Sequence, residues 1–290
     1  MSLFQRAARR PGRLRNLYPR RLATTAESTG LSSLTEEQAE IQDLARRFTR
    51  EHIIPVAEEY DRTMEYPWPV IKAAHQVGLL NAHIPEAVSF NVDRDILPAR
   101  GSHILQPPDS TAGQDSAYSK LAYGCSGIQT AIQANSLAEA PVIIAGSEET
   151  KKKYLGRMTE EPLVAGYCVT DTVTGPNGTA KTRAEKKGDK WILDGSGVWI
   201  TNGSHANWFF VLATSKRFAM PRSSMTAFVV DVNTPGIFFG KKEITMGQRC
   251  SDTRMLIFDN IEVPEEVQTK RLPLMHIEAL LTKSPSYRMS

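Results

Sequence analysis

Cysteine and histidine bind metals and act as nucleophiles more often than most side chains. This chain has three cysteines and six histidines. Cys125, Cys168 and Cys250 are far apart and lack the paired spacing of a zinc or redox site, so we interpret them as small buried hydrophobes. The histidines show neither a two-histidine helical spacing nor an adjacent carboxylate motif. The sequence therefore predicts no metal site.

Glutamates could supply a general base, and the candidates considered are Glu36-Glu37, Glu148-Glu149 and Glu160-Glu161. These pairs lie in charged runs or at helix starts, where solvated faces and helix capping are the commoner explanations. We assign no catalytic residue from the sequence, and the substrate-binding residues remain unknown.

The positive charge of the chain is concentrated at its beginning. Seven arginines precede the first acidic residue, Glu27, and without them 28 basic residues face 32 acidic ones. An Arg-rich, acid-free stretch that ends in hydroxyl residues is typical of a mitochondrial transit peptide, so we expect residues 1–27 to be cleaved; a disordered basic tail is the alternative. The apolar runs are too short to span a membrane, and the acidic remainder excludes a nucleic-acid partner.

The first half of the sequence predicts helices that form an N-terminal domain over residues 28–160. Thr35 to Gln38 offers a capping box before an amphipathic helix that Pro55 ends or restarts. Further helices are expected from Pro67 to Val77, from Tyr118 to Gln133 and from Ser147 to Met158.

From Leu163 the pattern changes to short runs of β-branched and aromatic residues between turns, which predicts a β-domain over residues 161–267. The expected strands are Val164 to Thr170, Trp191 to Leu193, Val198 to Thr201, Trp208 to Ala213, Thr226 to Asp231 and Met255 to Val263. Their spacing favours an antiparallel barrel or sandwich, so the predicted fold class is α+β.

Two stretches differ from their surroundings. Residues 87–116 hold three prolines and no sustained periodicity, which indicates an atypical loop or insertion. Residues 268–290 form a divergent tail with no recognisable packing partner.

Four motifs occur in a fixed order: Lys151 to Leu163, Tyr167 to Thr170, Trp199 to Gly203 and Met246 to Thr253. Together they resemble successive signatures of the mitochondrial medium-chain acyl-CoA dehydrogenases. The similarity covers roughly Leu34 to Glu265, apart from the atypical segment.

The resemblance implies a flavin adenine dinucleotide (FAD) held by the β-domain, with a medium-chain acyl-CoA thioester beside it. In that family a glutamate removes the α-proton while the β-hydrogen leaves as hydride to the flavin. Electron-transfer flavoprotein would then accept the electrons of an active enzyme, and the compartment would be the mitochondrial matrix.

By position, the resemblance assigns cofactor contacts to seven residues on two strands: Tyr167, Cys168, Val169, Thr170, Trp199, Ile200 and Thr201. A threonine hydroxyl can donate to a flavin ring nitrogen, and an indole offers a flat apolar face beside the ring. Residue types alone favour Thr170, Trp199 and Thr201 as ordinary strand formers, whereas the flanking motifs favour the flavin role.

The sequence departs from the family pattern in two further places. Between Thr170 and Lys181, bulky residues replace a glycine-rich loop, and Pro176 stands near the position of a substrate-contacting serine. The resemblance ends at about Val267, before the C-terminal helical bundle that carries the family's catalytic glutamate.

These departures leave two hypotheses. The chain is an acyl-CoA dehydrogenase-like flavoprotein of fatty-acid β-oxidation, inactive alone and able to borrow a bundle from full-length subunits in an oligomer. Alternatively, it is a non-catalytic truncated isoform or decayed copy that acts as a binding or assembly partner. Loss of the bundle would expose apolar faces, so we expect aggregation of the isolated chain.

Overall fold

The structure is a computed structural model that describes residues 36–82, 84–85, 111–171, 181–215 and 225–265. The predicted transit segment 1–27, the capping residue Thr35 and the tail 268–290 lie outside the described residues. Most of the predicted insertion 87–116 also lies outside them. Its last six residues are helical, so the predicted loop extended too far toward the C-terminus.

Helices occupy the first part of the described chain. The α-helices are α1 Glu36–Phe48, α2 Ala57–Thr63, α3 Trp68–Gln76, α4 Thr111–Gly124, α5 Ser126–Gln133, α6 Asn135–Ala145, α7 Glu148–Thr150 and α8 Arg157–Glu160. A π-helical turn, Thr49–Ile53, continues α1, and a second, Lys151–Gly156, joins α7 to α8.

The helix predicted from Tyr118 to Gln133 is two helices in the structure, because Cys125 adopts an extended backbone between α4 and α5. Helix α6 was not predicted; it contains Pro141, which removes one backbone donor from its interior. The prediction for residues 67–77 is confirmed by α3.

Seven strands follow in one sheet. They are β1 Ala165–Cys168, β2 Arg183–Lys187, β3 Lys190–Ile200, β4 Trp208–Thr214, β5 Met225–Asp231, β6 Ile237–Lys242 and β7 Arg254–Pro264. The order in the sheet is β1-β4-β2-β3-β7-β6, and β5 pairs with β4.

The predicted class, helices followed by a β-domain, is confirmed, but the pairing is not wholly antiparallel. Strand β1 pairs with β4 in parallel, and Arg183 of β2 forms a parallel bridge with Thr214. The two predicted strands at Trp191–Leu193 and Val198–Thr201 are one strand, β3, which ends at Ile200. Strands β2 and β6 were missed because their charged residues and Gly240 obscure the alternation.

Apolar burial is strongest where β4 meets β5. Residues Trp208 to Ala213 of β4 are all buried, and β5 is buried from Met225 to Val230. Ala138 and Val142 of α6 belong to the same core, so this helix covers the sheet near β1. A second core lies among the helices and includes Phe48, Leu121 and Ile128.

Candidate functional site

The two predicted site segments lie side by side in the structure. The backbone N–H of Val198 donates to the carbonyl oxygen of Thr170 at 3.0 Å. A Cβ atom added to Gly166 of β1 would lie 3.4 Å from Ile200 Cγ2. The chain just after β1 is therefore fixed against the end of β3, although about thirty residues separate them in sequence.

Trp199 occupies an irregular position at the end of β3. The pairing with β7 shifts between Gly197 and Ile200, so one extra residue lies on β3 there. Trp199 has a φ of 59° and its side chain is 62% exposed. A bulky residue with positive φ is uncommon, and a large aromatic side chain is rarely this exposed.

The seven predicted cofactor contacts differ in burial. Cys168 and Ile200 are buried in the sheet core, and burial raises the pKa of the Cys168 thiol, which keeps it protonated. Tyr167 is partly buried and its ring stacks on Phe210 with centroids 5.6 Å apart. Val169, Thr170, Trp199 and Thr201 remain partly or largely exposed.

The residue after this group, Asn202, is fully buried and has a φ of 61°. The Tyr66 hydroxyl donates to Asn202 Oδ1 at 2.9 Å. Asn202 Nδ2 donates to the carbonyl oxygen of Ala131 and to Asn135 Oδ1, both at 3.2 Å. Asparagine tolerates the left-handed conformation better than most residues, and the three bonds satisfy its buried amide.

The same hydrogen-bond network reaches the start of β1. The Ala165 N–H donates to Asn135 Oδ1 at 2.9 Å, and Asn135 Nδ2 donates to Asn81 Oδ1 at 2.6 Å. Asn81 in turn donates to the carbonyl oxygen of Met158 at 2.9 Å. One network of buried amides thus connects the helices to β1 and to the turn after β3.

Sequence reasoning missed this network. The sequence analysis included Asn202 only as part of the motif Trp199 to Gly203, and it gave Asn81 and Asn135 no role. The only sequence signal is the presence of asparagine inside otherwise apolar segments, where an amide needs buried partners.

The segment 246–253 supports the turn from the other side. The N–H groups of Asn202 and Gly203 donate to the carbonyl oxygens of Ser251 and Asp252. Asp252 Oδ2 accepts both the backbone N–H and the hydroxyl of Ser204, each at 2.8 Å. Burial acts to raise the pKa of Asp252, but the bonds from Ser204 and Arg254 outweigh it and lower that pKa overall.

Aromatic rings pack beneath the turn. Tyr66 stacks on His205 with centroids 4.1 Å apart, and Trp68 meets His205 edge-on at 5.6 Å. Burial raises the pKa of Tyr66 well above its usual value, so the phenol stays neutral and donates to Asn202. Burial also lowers the pKa of His205, which favours the uncharged ring.

The chain leaves this region after Asp171 and returns at Lys181. Asp171 is buried, and its Oδ2 accepts the Lys181 N–H at 2.9 Å, which holds the two ends together. Residues 172–180 lie outside the described residues. The departure from the family pattern at Pro176 therefore stays a prediction.

Two other classes of site find no support in the described ranges. Across these residues, no group of three His, Cys, Asp or Glu side chains is placed to hold a metal ion. No helix in the same part of the chain is long and apolar enough to cross a lipid bilayer.

Two family models match the chain. The one described as acyl-CoA dehydrogenase, N-terminal domain, matches residues 35–90, and the one described as acyl-CoA dehydrogenase, middle domain, matches residues 166–261. The second match contains all seven predicted cofactor contacts.

Individual relatives agree with these matches. The chain is 45% identical over 253 residues to a probable medium-chain specific acyl-CoA dehydrogenase 2, mitochondrial, of Caenorhabditis briggsae, covering 85% of this chain and 57% of the relative. It is 32% identical to an acyl-CoA dehydrogenase of Bacillus subtilis, covering 80% of this chain and 57% of that relative.

The fold also matches solved structures. Butyryl-CoA dehydrogenase from Megasphaera elsdenii superimposes with a TM-score of 0.73 at 25% identity, covering 87% of this chain and 62% of that one. The chain thus spans about three fifths of the length of the proteins it matches.

Proposed function

This chain belongs to the acyl-CoA dehydrogenase family, and we propose that it binds FAD at the junction of β1 and β3. Trp199 would lie beside the flavin ring, and the hydroxyls of Thr170 and Thr201 would contact its polar edge. Tyr167, Cys168, Val169 and Ile200 would shape the wall behind them.

The exposed Trp199 in its bulge is the observation that carries this proposal. Its apolar indole meets solvent, and its positive φ costs on the order of 1–3 kcal/mol, a strain that often marks a functional position. A flat aromatic ligand would cover the exposed indole and recover apolar contact area.

Thr170 and Thr201 suit the polar edge of such a ligand. Each side chain is partly exposed, and each hydroxyl can both donate and accept a hydrogen bond. The carbonyl of Thr170 is already engaged by Val198, which fixes the backbone that carries the hydroxyl. When bound, the flavin supplies hydride acceptance, for which the protein contributes orientation and hydrogen bonds.

We further propose that the substrate is a medium-chain acyl-CoA and that the reaction is α,β-dehydrogenation in mitochondrial fatty-acid β-oxidation. The similarity to the Caenorhabditis briggsae relative supports the choice of substrate. The same relative and the Arg-rich residues 1–27 support the mitochondrial location. Electron-transfer flavoprotein would accept the electrons.

We assign no catalytic base to the described residues. The buried carboxylate of Asp171 accepts a hydrogen bond from Lys181, and that of Asp252 accepts hydrogen bonds from Ser204 and Arg254. Glu139 is fully buried on α6. Turnover would therefore need a carboxylate from outside the described ranges, supplied by this chain or by a full-length subunit in an oligomer.

A second role, as an assembly partner for related subunits, is supported by exposed apolar side chains on the same sheet. Phe238 of β6 is 56% exposed and lies opposite Ile257 of β7, which is 40% exposed. Ile244 and Met246, in the segment that follows β6, are exposed as well. Such a patch favours association with another protein surface.

Titration of FAD into the full chain tests the cofactor proposal. Thr170→Val and Thr201→Val should each weaken binding about 10-fold, since each removes a hydrogen bond of about 1.4 kcal/mol. Thr63→Val, at the end of α2, is the matched control and should leave the affinity unchanged. Equal affinities for all four proteins would contradict the proposed site.

A further inference from the structure

Two cysteines that are far apart in sequence are neighbours in the structure. Cys125 lies just before α5, and Cys250 lies in the segment 246–253 that packs over the start of this helix. A Cβ atom added to Gly127 would lie 2.8 Å from Cys250 Sγ, so only glycine lets this sulfur approach the first turn. Cys125 packs against the same buried cluster that contains Cys250, and each of the two thiols is the largest influence on the pKa of the other.

The two sulfurs have different surroundings. Cys250 is 1% exposed, whereas Cys125 is only partly buried. Cys125 also lies directly before α5, and the backbone N–H groups of Gly127 and Ile128 in the first turn act to lower its pKa. Donors of this kind stabilise a thiolate, because the start of a helix carries partial positive charge.

The two cysteines shift each other's pKa in opposite directions. The hydrogen bond from Cys250 is the largest effect on Cys125 and, with the α5 donors, lowers its pKa to about 6, although burial and Asp61 oppose this. The same bond, burial and the Cys125 charge raise the pKa of Cys250, against a smaller effect of Lys242. At neutral pH these shifts favour the thiolate form of Cys125 and the neutral form of Cys250.

We propose that Cys125 and Cys250 form a peroxide-reactive thiol pair that closes to an intramolecular disulfide. The proposal rests on the position of Cys250 Sγ against the first turn of α5, on the place of Cys125 directly before that turn, and on the partial exposure of Cys125. It does not depend on flavin binding, so it goes beyond the function proposed above.

The reaction proceeds in two steps, formation of a sulfenic acid and closure of the disulfide. The Cys125 thiolate attacks one oxygen of a hydroperoxide, so an S–O bond forms, the O–O bond breaks, and hydroxide or alkoxide leaves and takes a proton from solvent. The Cys250 sulfur then attacks the Cys125 sulfenic acid; an S–S bond forms, the S–O bond breaks, and the hydroxyl leaves with the Cys250 proton as water. The peroxide is reduced by the two electrons that the thiols lose.

The disulfide would act on the proposed cofactor site indirectly. Cys250 belongs to the segment whose Ser251 and Asp252 carbonyls hold the N–H groups of Asn202 and Gly203. A covalent link from this segment to α5 would tie the turn after Thr201 to the helices. We therefore expect oxidation to raise the midpoint of thermal unfolding, because the link restricts the unfolded chain.

The test treats the full chain at low concentration with hydrogen peroxide at pH 7, then blocks free thiols and maps the peptides by mass spectrometry. We expect a Cys125–Cys250 cross-linked peptide that dithiothreitol removes. Cys250→Ser should stop at a Cys125 sulfenic acid that a cyclic dione captures, and Cys125→Ser should yield neither product.

Cys168 is the internal control, since burial keeps its thiol protonated. Cys125 should react at least ~10-fold faster than Cys168, and its rate should rise with pH to a half-maximum near pH 6. Equal rates for the two cysteines in the wild-type chain would overturn the proposal. Cross-links only between different chains would also overturn it.

Discussion

The β4–β5 pair and the open end of β3 belong to one sheet but differ in regularity. Strands β4 and β5 pair without interruption from Trp208↔Asp231 to Thr214↔Met225, and their side chains are almost all buried. The pairing of β3 with β7 shifts twice, and that of β6 with β7 shifts once.

Exposure follows the same division. Trp208 in β4 is 1% exposed, whereas Trp199 at the end of β3 is 62% exposed. Unbroken pairing places alternate side chains into a core, while a bulge turns one side chain away from it. Irregular pairing therefore marks the part of the sheet that is available to a ligand, and regular pairing marks the part that stabilises the fold.

The two tryptophans provide the strongest test of this division. Trp208→Ala should lower the free energy of unfolding by about 4–5 kcal/mol, because it empties a packed site next to Tyr154 and Met158. Trp199→Ala should change it by less than about 1 kcal/mol, since the side chain is exposed. Urea unfolding of the full chain measures both values.

FAD affinity completes the comparison. Trp199→Ala should lose FAD binding while remaining folded, and Trp199→Gly should do the same with a small gain in stability, because glycine relieves the positive φ. A larger loss of stability for Trp199→Ala than for Trp208→Ala would contradict the assignment of the two regions.

Asn202 lies at the boundary between the two regions, and its removal has the second largest expected effect. Asn202→Ala should lower the free energy of unfolding by about 3–4 kcal/mol, because it strains the backbone and removes the buried hydrogen bonds with Tyr66, Ala131 and Asn135. Asn260→Ala is the matched control.

Asn260 also has a positive φ, of 49°, but it is exposed and bonds only to its neighbour Asp259 among the contacts described for it. Asn260→Ala should lower the free energy of unfolding by about 1 kcal/mol, because only the backbone strain contributes there. Thermal and urea unfolding of both variants separate the two contributions, and equal losses would show that the amide network adds nothing.

Glu139 allows a pH test of the buried region. This carboxyl on α6 is fully buried, and burial raises its pKa from 4.5 to about 8. The folded state therefore holds a proton that the unfolded state releases, so its contribution to stability is present below pH 4.5 and is lost as the pH rises to 8.

Glu139→Gln should remove this loss of stability with rising pH, because the amide does not ionise. The variant should match the wild type near pH 4 and exceed it at pH 8 by about 2 kcal/mol, less than the full linkage value because burial in proteins is partly relaxed. Glu149→Gln, at an exposed position in α7, measures the effect of the same substitution in solvent. A constant difference between Glu139→Gln and wild type across this range would contradict the prediction.

The sequence predicted the regular elements better than the irregular ones. Strands β4 and β5 and helix α3 match their predicted ranges closely, because continuous apolar or helical periodicity is a local signal. Strand β3 was predicted as two strands, since Gly195 and Gly197 look like a break; in the structure Gly195 instead lets β3 pass close to Thr182.

The candidate site was predicted in part, by resemblance rather than by pattern. The structure places Thr170 against Val198, the neighbour of Trp199, while the contact of these residues with flavin stays a prediction. Asn202, Asn135 and the Cys125–Cys250 pair were missed. Each depends on a contact between residues distant in sequence, which a periodicity analysis does not detect.

The flavin content of the purified full chain tests the central claim most directly. It is read from the visible absorption spectrum and from the FAD released on denaturation, with Trp199→Ala purified in parallel. We predict close to one FAD per wild-type chain and little in the variant. A folded wild-type chain that retains no flavin and binds none when FAD is added would contradict the claim that β1 and β3 form a cofactor site.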